Sequence, residues 1–497
     1  MMAKLELKDS LKQLNNLSRS KFNKQLTNIL NTVGVKSVSY NGYNFSKNSL
    51  SFNLDLSAQP ITNQFQTGRC WIFAGLNLLR YHLAKELNID DLELSQSYLA
   101  FWDKFEKANY FLETVTELRD KKVNDRTLSF ILKNGVADGG QWTMLTNLIK
   151  KYGLVPKSIM PDTANSASTN QLNYLINLKL NQAASKILDN KDKPVAELNK
   201  IKTKALDEVF YLLSSIYGEL PTKFDFSYTK VIKKDSADRS ESHFNYLPKK
   251  VVETNFTPLT FYQKYFKQLV EKQGFVSVIN APANNKPFNQ TFSVKYLNNV
   301  IESDEILHYN LEQGLFSYLT IKQLVNQQPV WFGCEVKNIY LNEAKTFWDD
   351  QSFDYQTLFN IDLSLSKNDQ LDYWLSSINH AMLITGVDLD LEKFNQIDQE
   401  FNQLVKANKT KQAYQYLVEH MDQLTIHKWK IENSWGQDLG HAGYFVISDS
   451  YFKRYTYQVA INRQLFNQLV EQLKLTKEFD KPVRLLEPWD PIGTLAK

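Results

Sequence analysis

The hydrophobic period changes along this chain, and the change restricts its fold to one broad class. Early segments repeat at helical spacing: Ile72, Leu76, Leu79 and Leu83 share one stripe, and Trp142, Leu145, Ile149 and Tyr152 share another. Residues 170–325 are mostly helical in pattern. Later segments differ. HAMLITGVDL, HKWKIENSW and GYFVISDS alternate with a period of two and are rich in β-branched and aromatic residues, as strands are. Helices first and strands late predict an α+β architecture. Between the first two strands, Leu391, Phe394, Ile397, Phe401 and Leu404 form one helical stripe and Ala413, Leu417, Met421 and Leu424 a second, joined by the polar turn ANKTK. This predicts a helical hairpin over 391–425, inserted between two strands. Its stripes must be buried somewhere, and are expected on each other and on the outer side of the strand-rich half.

At 497 residues the chain exceeds what one hydrophobic core usually holds. The expected units are an N-terminal arm with entry strands (1–60), a helical lobe (61–165), a mostly helical insertion (166–325) and a β lobe (326–497). Residues 1–35 read as a polar helical arm and 36–56 as short extended segments. The charged stretch KVIKKDSADRSESHFNYLPKK inside the insertion reads as an exposed loop. A net charge of +4 over this length argues against a strong pull toward nucleic acid or acidic membrane. No apolar run is long enough to span a bilayer, and MMAKLELKDSLKQLNN lacks the apolar block of a signal peptide. The chain holds only two cysteines, Cys70 and Cys334, which points to a reducing, cytoplasmic setting. Aromatic residues make up 13%, which suits a well-packed oligomer.

Cys70 stands where the loop QPITNQFQTGRC becomes a helix. A helix N-terminus carries positive partial charge and unpaired N–H groups, both of which favour a thiolate. A buried core thiol is the competing reading. Cys334, in the apolar run PVWFGCEV, reads as a core residue. His380 opens a strand and shares a face with Met382 and Ile384; it is either a general base for a thiol or a satisfied core histidine. Asn433 falls on the same face as Trp429 and Ile431. There its amide would need partners, and an imidazole N–H is one; a turn asparagine ending the strand is the alternative. Gln64 precedes Cys70 by six residues, within reach of an oxyanion site shared with the Cys70 N–H. Gly139-Gly140 would let a substrate backbone come close, or simply form a turn. No H-E-x-x-H pattern and no G-x-S-x-G is present, which disfavours zinc peptidase and serine hydrolase chemistry.

Taken in order, Gln64, Cys70-Trp71, Gly139-Gly140, His380 and Asn433-Ser434-Trp435-Gly436 resemble the papain superfamily. Segments such as TNQFQTGRCWIFAGLNLLR, DGGQWTMLTNLIKKYGLVPKSIMPDT, INHAMLITGVDL, KWKIENSWGQDLGHAGYFVISDSYF and LEPWDPIGTLAK are similar to its intracellular branch, the bleomycin hydrolase and bacterial aminopeptidase C family. The resemblance implies a two-lobed papain-like fold with a large helical insertion. It implies Cys70 as nucleophile, His380 as base, Asn433 as the residue orienting it, Gln64 in the oxyanion hole and Trp435 as a shield. It implies an aminopeptidase acting on peptides, assembled as a homohexamer, with no cofactor and no metal. The C-terminal arm would lie in the cleft, with Gly139, Gly140, Ala496 and Lys497 meeting substrate. Two departures stand out: the 391–425 hairpin is longer than expected, and Lys497 lies one residue past the Thr-Leu-Ala ending. The latter leaves open an endopeptidase of the same family. A nucleic-acid-binding protein with secondary peptidase activity is the alternative of another class.

Overall fold

The computed structural model describes residues 11, 21–42, 49–56, 59–89, 91–233, 246–336, 347–475 and 482–496. The first lobe is helical. In it α1 (Cys70–Leu87), α2 (Gln96–Glu117) and α3 (Trp142–Tyr152) pack together. Helix α1 is buried from Cys70 through Arg80 on all sides, because it lies between α2, α3 and the main sheet. Asn88 ends it in the left-handed conformation at φ 55°. Ser95 caps α2 by accepting from the Tyr98 N–H. Two further helices, α4 (Asn170–Asp189) and α5 (Val195–Tyr217), lean on α2 through buried stripes that include Ile176, Leu180, Val209 and Leu213.

Past α5 the expectation of a helical insertion to residue 325 is corrected. The two ends of the charged stretch expected as a loop lie in an antiparallel ribbon of β1 (Phe224–Lys233) and β2 (Tyr246–Phe256), while its middle, residues 234–245, lies outside the described residues. Phe224, Phe226 and Phe256 seat the ribbon's base on Phe261. Next, β3 (Phe275–Ile279), β4 (Gln290–Val294) and β5 (His308–Asn310) join the main sheet. FVSVI is buried at all five positions, so it lacks the alternation by which half-exposed strands are recognised.

The rest of the chain supplies α6 (Gln313–Val325), β6 (Val330–Cys334), β7 (His380–Leu389), α7 (Leu391–Lys406), α8 (Thr410–Gln423), β8 (Ile426–Glu432), β9 (Tyr444–Ser448), β10 (Thr456–Asn462) and β11 (Arg484–Leu486). The sheet runs β11-β4-β5-β3-β10-β6-β7-β8-β9 and ends on Phe347–Trp348. In the antiparallel β6–β7 pair, Cys334 stands opposite His380 and Val330 opposite Ile384. Alternation along these strands separates two cores. Trp331, Ala381 and Leu383 join the core around α1, while Phe332, Met382 and Ile384 join the core on the other face. The expected helical hairpin is present as α7 and α8, and it packs on α6 in that second core. Tyr318 of α6 meets the rings of Phe394 and Phe401. The backbone of Val418 comes so near Gly314 that a Cβ there would sit 2.9 Å from it. The hairpin is thus on the sheet face opposite α1.

At the N-terminal side, Lys21–Val33 forms a helix with no buried residue, and the arm residues 1–10 and 12–20 fall outside the described residues. Val35–Ser39 is a short helix rather than an extended segment, and among the described residues of 36–56 only Leu54–Asp55 pairs with the sheet, on β7.

Candidate active site

Cys70 opens α1 and His380 opens β7, and the N–H of Ala381, the residue after His380, reaches the Cys70 sulfur. Cys70 is 3% exposed, and the N–H groups of Cys70, Trp71 and Ala381 all face its sulfur. The thiol lies 3.9 Å from the Gly68 carbonyl oxygen. Burial pushes the thiol up to about 11; the three N–H groups oppose that shift, and the nearby Asp138 carboxylate adds to it. The Arg69 guanidinium turns into the first lobe, 3.3 Å from both Asp162 and Ser97.

His380 is 6% exposed. Its Nε2 lies 2.9 Å from Asn433 Oδ1, which also accepts the Ser434 N–H at 2.8 Å. An oxygen already taking a backbone N–H is the acceptor, so Nε2 carries the proton and Nδ1 keeps the lone pair. Burial pulls the imidazole down to about 4, with the Asn433 contact opposing the shift. Trp435 stacks on the ring, centroids 5.0 Å apart and planes 29° from parallel, and covers the His380–Asn433 bond. Gly436 closes the turn at φ 79°, where a Cβ would fall 2.7 Å from Asn63 Nδ2. Asn63 bridges to Trp435, so this turn packs on the loop that leads to Cys70.

Gln64, on that loop, is 6% exposed. Its Oε1 accepts from Ser434 Oγ at 2.7 Å and its Nε2 donates to the Thr67 carbonyl at 2.6 Å. An NH₂ group has two protons, so one remains after the Thr67 bond. Ser434 was read in the sequence only as part of the turn after Asn433. Its contact with Gln64 joins residues 370 apart, and no local pattern announces such a pair.

Gly139 and Gly140, expected to meet substrate, are both buried on the first lobe. Gly140 is required by Trp71, whose ring would lie 2.3 Å from an added Cβ. The Trp71 indole N–H donates to the Asp138 carbonyl at 2.7 Å, and Lys107 donates to the Gly139 carbonyl at 2.5 Å. Asp138 itself was not singled out in the sequence; its carboxylate accepts four hydrogen bonds and its charge is felt at the thiol.

The C-terminal segment runs between the two lobes. β11 pairs in parallel with β4, and Asp490 forms a buried ion pair with Lys286 at 2.8 Å. The Ile492 carbonyl accepts from Gln141 at 3.2 Å, next to Gly140, and Thr494 donates to the Ile378 carbonyl at 2.7 Å, two residues before His380. Leu495 fills the space in front of Gly333. Ala496 borders a cavity of about 80 Å³ together with Lys107, Phe111, Phe130 and Leu297. Lys497 lies outside the described residues. Among the described residues no three His, Cys, Asp or Glu are grouped to hold a metal, and no helix is long and apolar enough to cross a membrane.

A thiol at a helix start, packed beside the strand that opens with an asparagine-bound imidazole, between a helical and a sheet lobe, is the architecture of a papain-like cysteine peptidase. Comparison with known proteins agrees. The model of the Peptidase C1-like family matches residues 5–402 and 410–493, and the chain belongs to that family. It is 38% identical over 455 residues to the aminopeptidase C of Lactobacillus delbrueckii subsp. lactis, covering 90% of this chain and 88% of that protein. It is 30% identical over 444 residues to human bleomycin hydrolase, covering 88% and 87%. The solved structure of PepW from Lactobacillus rhamnosis HN001 superposes with a TM-score of 0.84 over 99% of both chains at 34% identity.

Proposed function

We propose that this chain is a cysteine aminopeptidase in which Cys70 attacks the first peptide bond of a substrate with a free N-terminus. His380 Nδ1 takes the thiol proton, and the resulting thiolate adds to the carbonyl carbon. The oxyanion accepts from the Cys70 N–H and from the remaining proton of Gln64 Nε2. The imidazolium then protonates the leaving amine as the tetrahedral adduct collapses to a thioester. In the second half His380 takes a proton from water, the hydroxide adds to the thioester carbonyl, and Cys70 leaves with that proton. Asn433 holds the ring in one tautomer throughout, and Trp435 keeps water from their bond. The two unpaired thiols suit a reducing compartment, the cytoplasm.

One observation carries the choice of aminopeptidase over endopeptidase. Residues 492–495 bind Gln141 on one wall of the cleft and Ile378 on the other. A substrate reaching past the nucleophile in that direction meets this segment, so little chain fits ahead of the scissile bond. The test compares an aminoacyl-4-nitroanilide with its N-acetylated form, on the native enzyme and on Thr494→Ala/Leu495→Ala. The native enzyme should cleave only the free amine, and the double variant should gain activity on the blocked substrate. Equal cleavage of both by the native enzyme would sink the reading.

A further inference from the structure

The Asp138 side chain is 9% exposed and accepts four hydrogen bonds. Oδ2 accepts the Gly68 N–H at 2.9 Å and the Thr169 hydroxyl; Oδ1 accepts Lys104 Nζ at 2.5 Å and Asn173 Nδ2 at 3.0 Å. The backbone carbonyl of the same residue takes the Trp71 indole N–H. Asp138 therefore grips the chain on both sides of Cys70, two residues before it through Gly68 and one after it through Trp71. It also directly precedes the buried Gly139-Gly140 pair. The grip is close: a Cβ on Gly68 would lie 2.9 Å from the Asp138 Cβ. Lys104 and Asn173 tie the carboxylate back to α2 and α4, because Lys104 also donates to Asn173 Oδ1 at 2.5 Å. Burial opposes the charge of Asp138, but Lys104, Thr169 and the Gly68 N–H outweigh it and hold the carboxyl well below its usual range. It stays ionised at any pH where the enzyme works.

We propose that Asp138 is a positioning residue for the nucleophile, clamping the Gly68–Trp71 turn to α2 and α4 and, with Lys104 as its counter-charge, biasing the ease with which Cys70 ionises. The mechanical part follows from the hydrogen bonds. The electrostatic part follows from placement: a fixed negative charge near a thiol disfavours the thiolate, and a cation paired with it restores the balance. Substitution of either partner of the pair therefore has a signed effect. Asp138→Asn removes the negative charge and should ease ionisation. Lys104→Met leaves that charge unscreened and should hinder it. A residue that only stiffens the lobe would move neither in a particular direction.

The proposal rests on Cys70 being the nucleophile, and the experiment separates the two ideas. The rate of inactivation by iodoacetamide is measured against pH for the native enzyme, Asp138→Asn and Lys104→Met, and the labelled cysteine is mapped by peptide mass. The Asp138→Asn profile should move to lower pH and the Lys104→Met profile to higher pH. Turnover of an aminoacyl-4-nitroanilide by Asp138→Asn should fall roughly 10- to 100-fold with little change in KM, since the thiol is no longer held at its attack angle. If inactivation follows label on Cys334, the nucleophile is misassigned. If Cys70 is labelled but the two profiles stay put or move together, the proposal for Asp138 fails alone. Should Asp138→Asn not fold, Thr169→Val removes one bond to the carboxylate without stranding a charge. It should lower turnover about fivefold, as loss of one hydrogen bond does, and full turnover in that variant would overturn the proposal.

Discussion

Gln64 has two anchors, and their separate strengths predict how two substitutions differ. Gln64→Ala removes an oxyanion donor outright; loss of one such donor costs about 2.7–4 kcal/mol in the transition state, or roughly 10²–10³ in turnover. Ser434→Ala removes only the hydroxyl that fixes Oε1. The amide is then still oriented by the Nε2 bond to the Thr67 carbonyl, because a flipped amide would set oxygen against oxygen. The loss is that of one hydrogen bond, about 1 kcal/mol, which is about fivefold in rate at 1.36 kcal/mol per decade. Stability falls in both variants: Ser434→Ala strands the buried Gln64 carbonyl oxygen and costs about 1–3 kcal/mol, and Gln64→Ala, which leaves the Ser434 hydroxyl and the Thr67 carbonyl without this partner, costs at least as much. Steady-state turnover of an aminoacyl-4-nitroanilide, alongside thermal melts, reads both quantities. Equal rate losses in the two variants would show that Thr67 does not hold the amide. A fully active Gln64→Ala would remove the residue from the mechanism.

Two further outcomes follow from the thiols and the imidazole. Cys70→Ser should abolish activity with the fold kept, while Cys334→Ser, altered on β6 inside the second core, should keep most of it; activity assays on purified, folded variants decide this. With burial holding the thiol up to about 11 and the imidazole down to about 4, the pair keeps one proton across the range between. Acidifying through the lower value adds a second proton and blocks the base; alkalinising through the upper one removes the only proton and leaves no acid for the leaving amine. The pH profile of kcat/KM should thus be a broad bell, and an alkaline fall centred near an ordinary thiol value of about 8.5 would contradict it.

The residues proposed to do chemistry were more legible than the framework that holds them. Cys70, His380 and Asn433 sit at a loop–helix boundary and at strand ends, where local context limits what a polar side chain does. The α7–α8 hairpin was legible for a similar reason, since two long apolar stripes have one spacing that fits. The strands β3, β4 and β5 were not: almost wholly buried, short and bounded by polar turns, they carry no period that separates strand from helix. The β1–β2 ribbon was hidden by its lysines, which mark solvent exposure but not backbone conformation. Asp138 and Ser434 act through partners far along the chain, and such pairings exist only once the fold does.

The wide spacing of the site sets an order of events during synthesis. Between Cys70 and His380 lie roughly 310 residues, which a ribosome adding about 5–20 residues per second takes on the order of 15–60 s to make. The segment that crosses the cleft comes later still, and β11 has no place to pair until β4 has joined the sheet. A growing chain therefore carries its thiol long before it carries a base, an orienting amide or a barrier across the cleft. Hydrolytic competence is acquired late, and with the barrier following soon after, the interval in which an open, active cleft could attack neighbouring nascent chains is short.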